Sequence, residues 1–182
     1  MQALSLYAGV LGARWAELPS IVRRMHEEGC ATGRFSIRRS RGPLSALVGW
    51  LCQFPAAGED VPTQLRVQRQ GEGQLWERSF NGHRLATLQR AWEQGLVGEQ
   101  LGPVECVFRL RSIPGGIAYE QVGAWLRLGS WRLPLPSFLA PRIEATTTEA
   151  PHGMHVHVKI GSALLGWMLT YEGLVSPEEA AS

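Results

Sequence analysis

The chain is expected to fold as a mostly β, α+β protein. The architecture is an antiparallel β-barrel or strongly curved sheet of about nine or ten strands, with two N-terminal helices packed on one end or face. Three observations carry this expectation. Beyond residue 60, apolar and polar residues alternate with period two in run after run. Tight-turn sequences separate the runs: Asn81-Gly82, Pro114-Gly115-Gly116 and Pro151-His152-Gly153. No helical pattern intervenes, which excludes parallel crossover units, and a sheet of that many strands curls or closes to lose its edges.

Residues from about Leu4 to Glu28 carry a helical pattern, with Pro19 marking a break or a new start. Leu18, Ile21, Val22 and Met25 recur on one face, and Arg23, Arg24, Glu27 and Glu28 take the other. Gly29 is a natural helix stop, and Thr32 to Arg39 alternates as a first strand. Gly42-Pro43-Leu44 opens a second helix, ended by Pro55. Its residues Leu44, Leu47, Val48, Leu51, Trp50 and Phe54 are apolar enough that burial is expected, the alternative being a cap over a cavity mouth.

From Asp60 the pattern turns to strands. Leu65 and Val67 alternate with Arg66 and Gln68; Gln70 to Gly73 turns; Trp76, Arg78 and Phe80 then alternate with Leu75, Glu77 and Ser79. Arg84 to Glu93 is ambiguous in period but fits a strand, and Leu96 to Gln100 is a short one. Cys106, Phe108 and Leu110 oppose Val107, Arg109 and Arg111. After the glycine turn, Ile117 to Leu128 returns as the partner of a hairpin. Leu133 to Arg142 leads into a strand over Arg142 to Thr148. Met154, Val156, Val158 and Ile160 then oppose His155, His157 and Lys159. A last strand spans Leu164 to Val175, with Trp167, Leu169 and Tyr171 placed on one face.

The 182 residues suit a single domain, with a helical part (1–55), an antiparallel β part (60–175) and a polar tail (176–182). A hydrophobic share of 45% and a charged share of 19% describe an ordinary globule, and a net charge of +2 is too small to imply a nucleic-acid partner. Lys159 is the only lysine and Asp60 the only aspartate, so a site built on two aspartates is excluded. Cys30, Cys52 and Cys106 are odd in number and form no C-x-x-C pair, which argues against a zinc knuckle or disulfide framework. No basic leader, signal peptide or membrane-length apolar run is evident, and a cytoplasmic location is expected.

Several phrases together resemble a bacterial family described as domain of unknown function 4166. They are Gly42-Pro43-Leu44, Asp60-Val61-Pro62, Trp76-x-Arg78-x-Phe80, Gly102-Pro103, Leu133-Pro134-Leu135-Pro136 with Leu139-Ala140-Pro141-Arg142, and Tyr171-x-Gly173-x-Val175. The resemblance runs from about Leu18 to Val175. It implies association with a nucleotide-binding reductase-like domain related to saccharopine dehydrogenase. It brings no catalytic residues.

Eight residues form the candidate ligand-binding set: Trp125, Trp131, Arg142, Glu144, His155, His157, Trp167 and Tyr171. The tryptophans are candidates for lining an apolar cavity. Arg142 and Glu144 share a strand face, as do Arg109 and Arg111, and fit either a cross-strand charge network or an arginine-lined anion pocket. His155 and His157 stand about 7 Å apart on one strand face. Lys159 beside them argues against a metal, so neither a metal nor a cofactor is expected. No G-x-S-x-G elbow or phosphate loop occurs.

The leading expectation is a non-enzymatic or accessory barrel-like domain binding a small apolar or amphipathic molecule within the curved sheet. One alternative is an enzyme, or an accessory domain to a separate NAD(P)-dependent reductase, using Arg142, Glu144 and the His155/His157 face. The other is an interaction module docking a partner through the Leu44 to Phe54 helix.

Overall fold

The computed structural model describes residues 5–178. Three short helices come first: α1 (Leu6–Leu11), α2 (Arg14–Glu17) and α3 (Ser20–Met25). The expected helical run is therefore broken twice. Gly12 takes φ +57° just after α1, a left-handed conformation that glycine adopts cheaply. The extended Leu18 and Pro19 separate α2 from α3. Ser5 caps α1 by accepting the Ala8 N–H.

Then come β1 (Gly29–Arg39), α4 (Pro43–Leu51), β2 (Gly58–Gln70), β3 (Gly73–Phe80), β4 (His83–Trp92), β5 (Leu96–Leu101) and β6 (Val104–Ile113). They are followed by β7 (Gly116–Leu128), β8 (Trp131–Pro134), β9 (Pro141–Ala150), β10 (Gly153–Ser162) and β11 (Gly166–Pro177). All pairings are antiparallel. The order is β6-β5-β4-β3-β2-β1-β11-β10-β9-β7, and a β6–β7 ladder joins the two ends into a closed ten-stranded barrel. β8 is an eleventh strand outside the ring, paired only with β7.

Alternation decides what faces inward. Phe35 and Ile37 on β1, Leu65 and Val67 on β2, Trp76 and Phe80 on β3, and Met154 and Val158 on β10 all belong to one buried cluster. The helices α1 to α3 close one end of the barrel, where Tyr7, Val22 and Met25 are buried among the strand side chains. At the other end lie α4 and the β3–β4, β5–β6, β7–β8 and β10–β11 turns. Among the described residues, no helix is long and apolar enough to cross a membrane.

Two expectations about orientation fail. The side chains of this helix and its end are expected to be buried, but Leu44, Leu47 and Trp50 are exposed; Val48 and Phe54, with Cys52 between them, pack on the core, and the Leu51 side chain lies outside the described residues. A nine-residue helix lying over the barrel end has one face to bury, and this one is apolar on both. In β11, Trp167 does not share a face with Leu169 and Tyr171. Ile160 pairs with Leu169 and Gly161 with Trp167, leaving Met168 as a bulge that turns Trp167 outward.

β1 and β11 coil so closely that a Cβ at Gly33 would run into the Leu174 carbonyl, whereas at Gly29 on the same strand it would meet nothing. Gly33→Ala is therefore expected to lower unfolding free energy by about 2 kcal/mol or more, and Gly29→Ala to leave it within about 0.5 kcal/mol. Urea denaturation of the two variants makes the comparison.

Candidate functional site

The barrel encloses a chamber of about 120 Å³. Its walls are mainly apolar: Phe35, Leu85, Phe108, Met154, Val158 and Ile160 contribute from four different strands. A void this large among hydrocarbon side chains is unusual in a close-packed interior and exceeds the space one water needs.

One side of the chamber is polar. Arg78 projects inward from β3 between Trp76 and Phe80, its side chain only 17% exposed. Its guanidinium donates to Thr87 Oγ1 at 2.9 Å, lies 3.5 Å from the Glu99 carboxylate and sits 5.5 Å from the Trp76 ring centre. Burial works against its charge. The Tyr171, Glu99, Tyr7 and Tyr119 oxygens around it outweigh that, so its pKa is raised and it stays a cation. Two contacts leave several of its five N–H donors available to a bound molecule.

Toward the helical end, a chain of hydrogen bonds forms the floor. The Nδ1–H of His26 donates to the Val22 carbonyl at 2.7 Å, which makes Nε2 an acceptor. Tyr119 Oη lies 2.9 Å from that Nε2 and 2.9 Å from Tyr7 Oη, and Tyr7 donates to Gln89 Oε1 at 2.7 Å. Two hydroxyl protons thus serve three contacts while His26 is neutral. A proton on Nε2 would turn Tyr119 round and complete the chain. Burial opposes that charge and wins: the His26 pKa falls from 6.5 to about 4, despite the Val22 bond that favours the cation. Burial also raises the Tyr119, Tyr7 and Tyr171 hydroxyls above the ordinary tyrosine range, so all three stay protonated. It pushes the Cys106 thiol up to about 12, which removes it as a nucleophile at neutral pH.

Of the eight residues singled out in the sequence, Tyr171 alone lines this chamber. Trp125 faces outward because Val107 pairs with Gly123 and Phe108 with Gln121, so Val122 bulges and reverses the alternation. Outside, Trp125 packs 5.2 Å from Trp92 over the buried Glu105, whose carboxylate lies 3.7 Å from Arg127 and 3.5 Å from Arg132. Trp131 stands 72% exposed at the β7–β8 tip, and Trp167 lies outside beneath the Lys159 ammonium. Arg142 and Glu144 share the outer face of β9 along a surface groove with Arg111. The ion-pair partner of Arg109 and Arg111 is Glu120 on β7, at 3.9 and 4.0 Å, rather than Glu144. His155 and His157 are on the outer face of β10, His157 3.9 Å from Glu172. Among the described residues, no three His, Cys, Asp or Glu side chains group to hold a metal.

Sequence reasoning missed Arg78, Glu99, Tyr119, Tyr7 and His26 as a set. A signal existed for the first: Trp76-x-Arg78-x-Phe80 puts a cation between two aromatics on one strand face. The others come from α1, the C-cap of α3, β5 and β7, and only the closed barrel brings them together.

Fold and chamber define a closed antiparallel barrel with an apolar interior and a polar floor. The chain belongs to the family described as Domain of unknown function (DUF4166), whose model matches residues 18–175. Two solved structures are similar at 12% identity. One is a secretary abundant heat soluble (SAHS) protein from Ramazzottius varieornatus, covering 83% of this chain and 94% of that one, with a TM-score of 0.41. The other is the zebrafish ileal bile acid-binding protein complexed with cholic acid, covering 80% of this chain and 95% of that one, with a TM-score of 0.40. No curated protein matches the chain.

The His26 geometry predicts acid sensitivity. Above pH 6.5 the imidazole is neutral in both folded and unfolded chains. Between pH 6.5 and about 4 the unfolded chain takes a proton that the folded chain refuses, so stability falls by roughly 3 kcal/mol over that window. Denaturant titrations at pH 7.5 and 4.5 should show the loss, and His26→Gln should remove most of the slope.

Proposed function

We propose that the protein is a binding domain for a small, predominantly apolar molecule carrying one hydrogen-bond-accepting group. The molecule occupies the chamber with its apolar body against Phe35, Leu85, Phe108, Met154 and Val158 and its acceptor against Arg78. The observation that carries this reading is a mostly buried guanidinium with spare donors facing an unfilled hydrocarbon-walled space. Keeping a charge inside a barrel is costly unless its donors are used.

The size of the chamber limits the ligand. An apolar cavity of about 150 Å³ accommodates benzene, so 120 Å³ suits a compact ring or a short branched chain. A longer amphipathic molecule fits only if the half-buried Leu101, Ile143 and Ile160 move aside. Glu99 matters to the head group as well. Its charge balances Arg78 and disfavours a second anion, so a carbonyl or hydroxyl suits the site better than a carboxylate.

The test uses benzene, p-cresol, cyclohexanone and octanoate, followed by tryptophan fluorescence and thermal shift. The neutral compact probes are expected to bind and raise the Tm. Ala145→Phe, which fills the chamber, should abolish binding. Arg78→Met combined with Glu99→Gln avoids stranding a buried carboxylate and should weaken cyclohexanone about tenfold or more while sparing benzene. The absence of any saturable response would overturn the reading.

A further inference from the structure

Among the described residues, twelve large hydrophobic side chains are exposed, and ten of them lie at the barrel end opposite α1 to α3. They are not spread evenly round that rim. Trp50 and Leu47 stand on α4, Leu164 on the β10–β11 turn, Phe138 and Leu139 on the loop before β9, and Trp131 at the β7–β8 tip. Those four positions are consecutive in the order β1-β11-β10-β9-β7-β8. The rest of the rim, at Asn81-Gly82 and Gly102-Pro103, is polar or small. The result is an apolar crescent made of helix, turn and loop side chains, with Trp50 and Trp131 at 75% and 72% exposure.

We propose that this crescent docks the protein on the surface of an anionic phospholipid bilayer. Two features favour lipid over a folded partner. Exposed apolar side chains on four separate elements, two of them indoles, suit a fluid interface that closes around each, and Trp is the side chain best matched to the headgroup boundary. The crescent is also flanked by cations: Arg39, Arg41, Arg127, Arg132, Arg142 and Lys159 lie on or beside its elements. The nearby carboxylates are fewer, and one of them, Glu105, is buried beneath Arg127 and Arg132. Anionic headgroups complement that pattern. Arg39 lies against α4 at Gly49, so charge and apolar tip move together there.

Docking needs no ligand in the chamber, which separates this inference from the binding function. The experiment is co-sedimentation of ligand-free protein with vesicles of phosphatidylcholine alone and of phosphatidylcholine with 30% phosphatidylserine. Binding to the anionic vesicles is expected, with a blue shift in tryptophan emission and weakening between 0.1 and 0.5 M NaCl. Trp50→Ser with Trp131→Ser and Leu164→Ser should lower the partition coefficient at least about tenfold with an unchanged Tm, because all three positions are exposed. The Arg78→Met/Glu99→Gln variant should bind vesicles as the parent does. The proposal is overturned if the parent protein stays in the supernatant or if the triple variant sediments equally well. It is also overturned if the crescent is covered by a second copy of the chain, seen as a dimer that the triple substitution dissociates.

Discussion

Everything in this fold depends on the β6–β7 ladder. Without it, ten antiparallel strands would form an open curled sheet with two bare edges and an interior face exposed to water. With it, Val104 to Ile113 runs against Gly116 to Leu126, both edges disappear, and the inward half of every strand shares one enclosed volume. The chamber, the buried state of His26 and the proximity of Arg78 to Glu99 are consequences of that closure. The helices then act as a plug: α1 supplies Tyr7 and the C-cap of α3 supplies His26, and the two convert an apolar barrel end into a hydrogen-bonded floor.

Much of this was legible in the sequence, and the failures have a common cause. Period-two alternation and tight-turn sequences placed nearly every strand, because both are local. Facing was also right for β9 and β10, where Arg142, Glu144, His155 and His157 do share outer faces. What alternation could not show was whether those faces look into the barrel or out of it, since polar residues occur on both sides here. Two bulges then reversed the count. Val122 and Met168 are ordinary apolar residues in apolar runs, and each turned a tryptophan, Trp125 or Trp167, from the expected interior to the surface. The register shift comes from the pairing strand, which a single run of residues does not contain.

The interior polar groups follow a different logic from the surface ones. Surface pairs such as Arg109 with Glu120 are solvated and contribute little. Arg78, Glu99, Thr87 and the His26–Tyr119–Tyr7–Gln89 chain sit where an apolar substitute of similar shape would pack at lower cost. Their presence beside an apolar cavity is the physical basis for the proposed ligand. The same barrel has its apolar excess at the opposite rim, so the polar floor and the apolar mouth are segregated along one axis.

Xenon titration followed by methyl NMR tests closure and chamber most directly, because xenon enters dry apolar voids and little else. The account predicts saturable shifts confined to inward methyls, those of Leu85, Met154, Val156, Val158 and Ile160, with none at the outward Leu174. Linear, unsaturating shifts spread over surface methyls would mean that no enclosed space exists, and would contradict it.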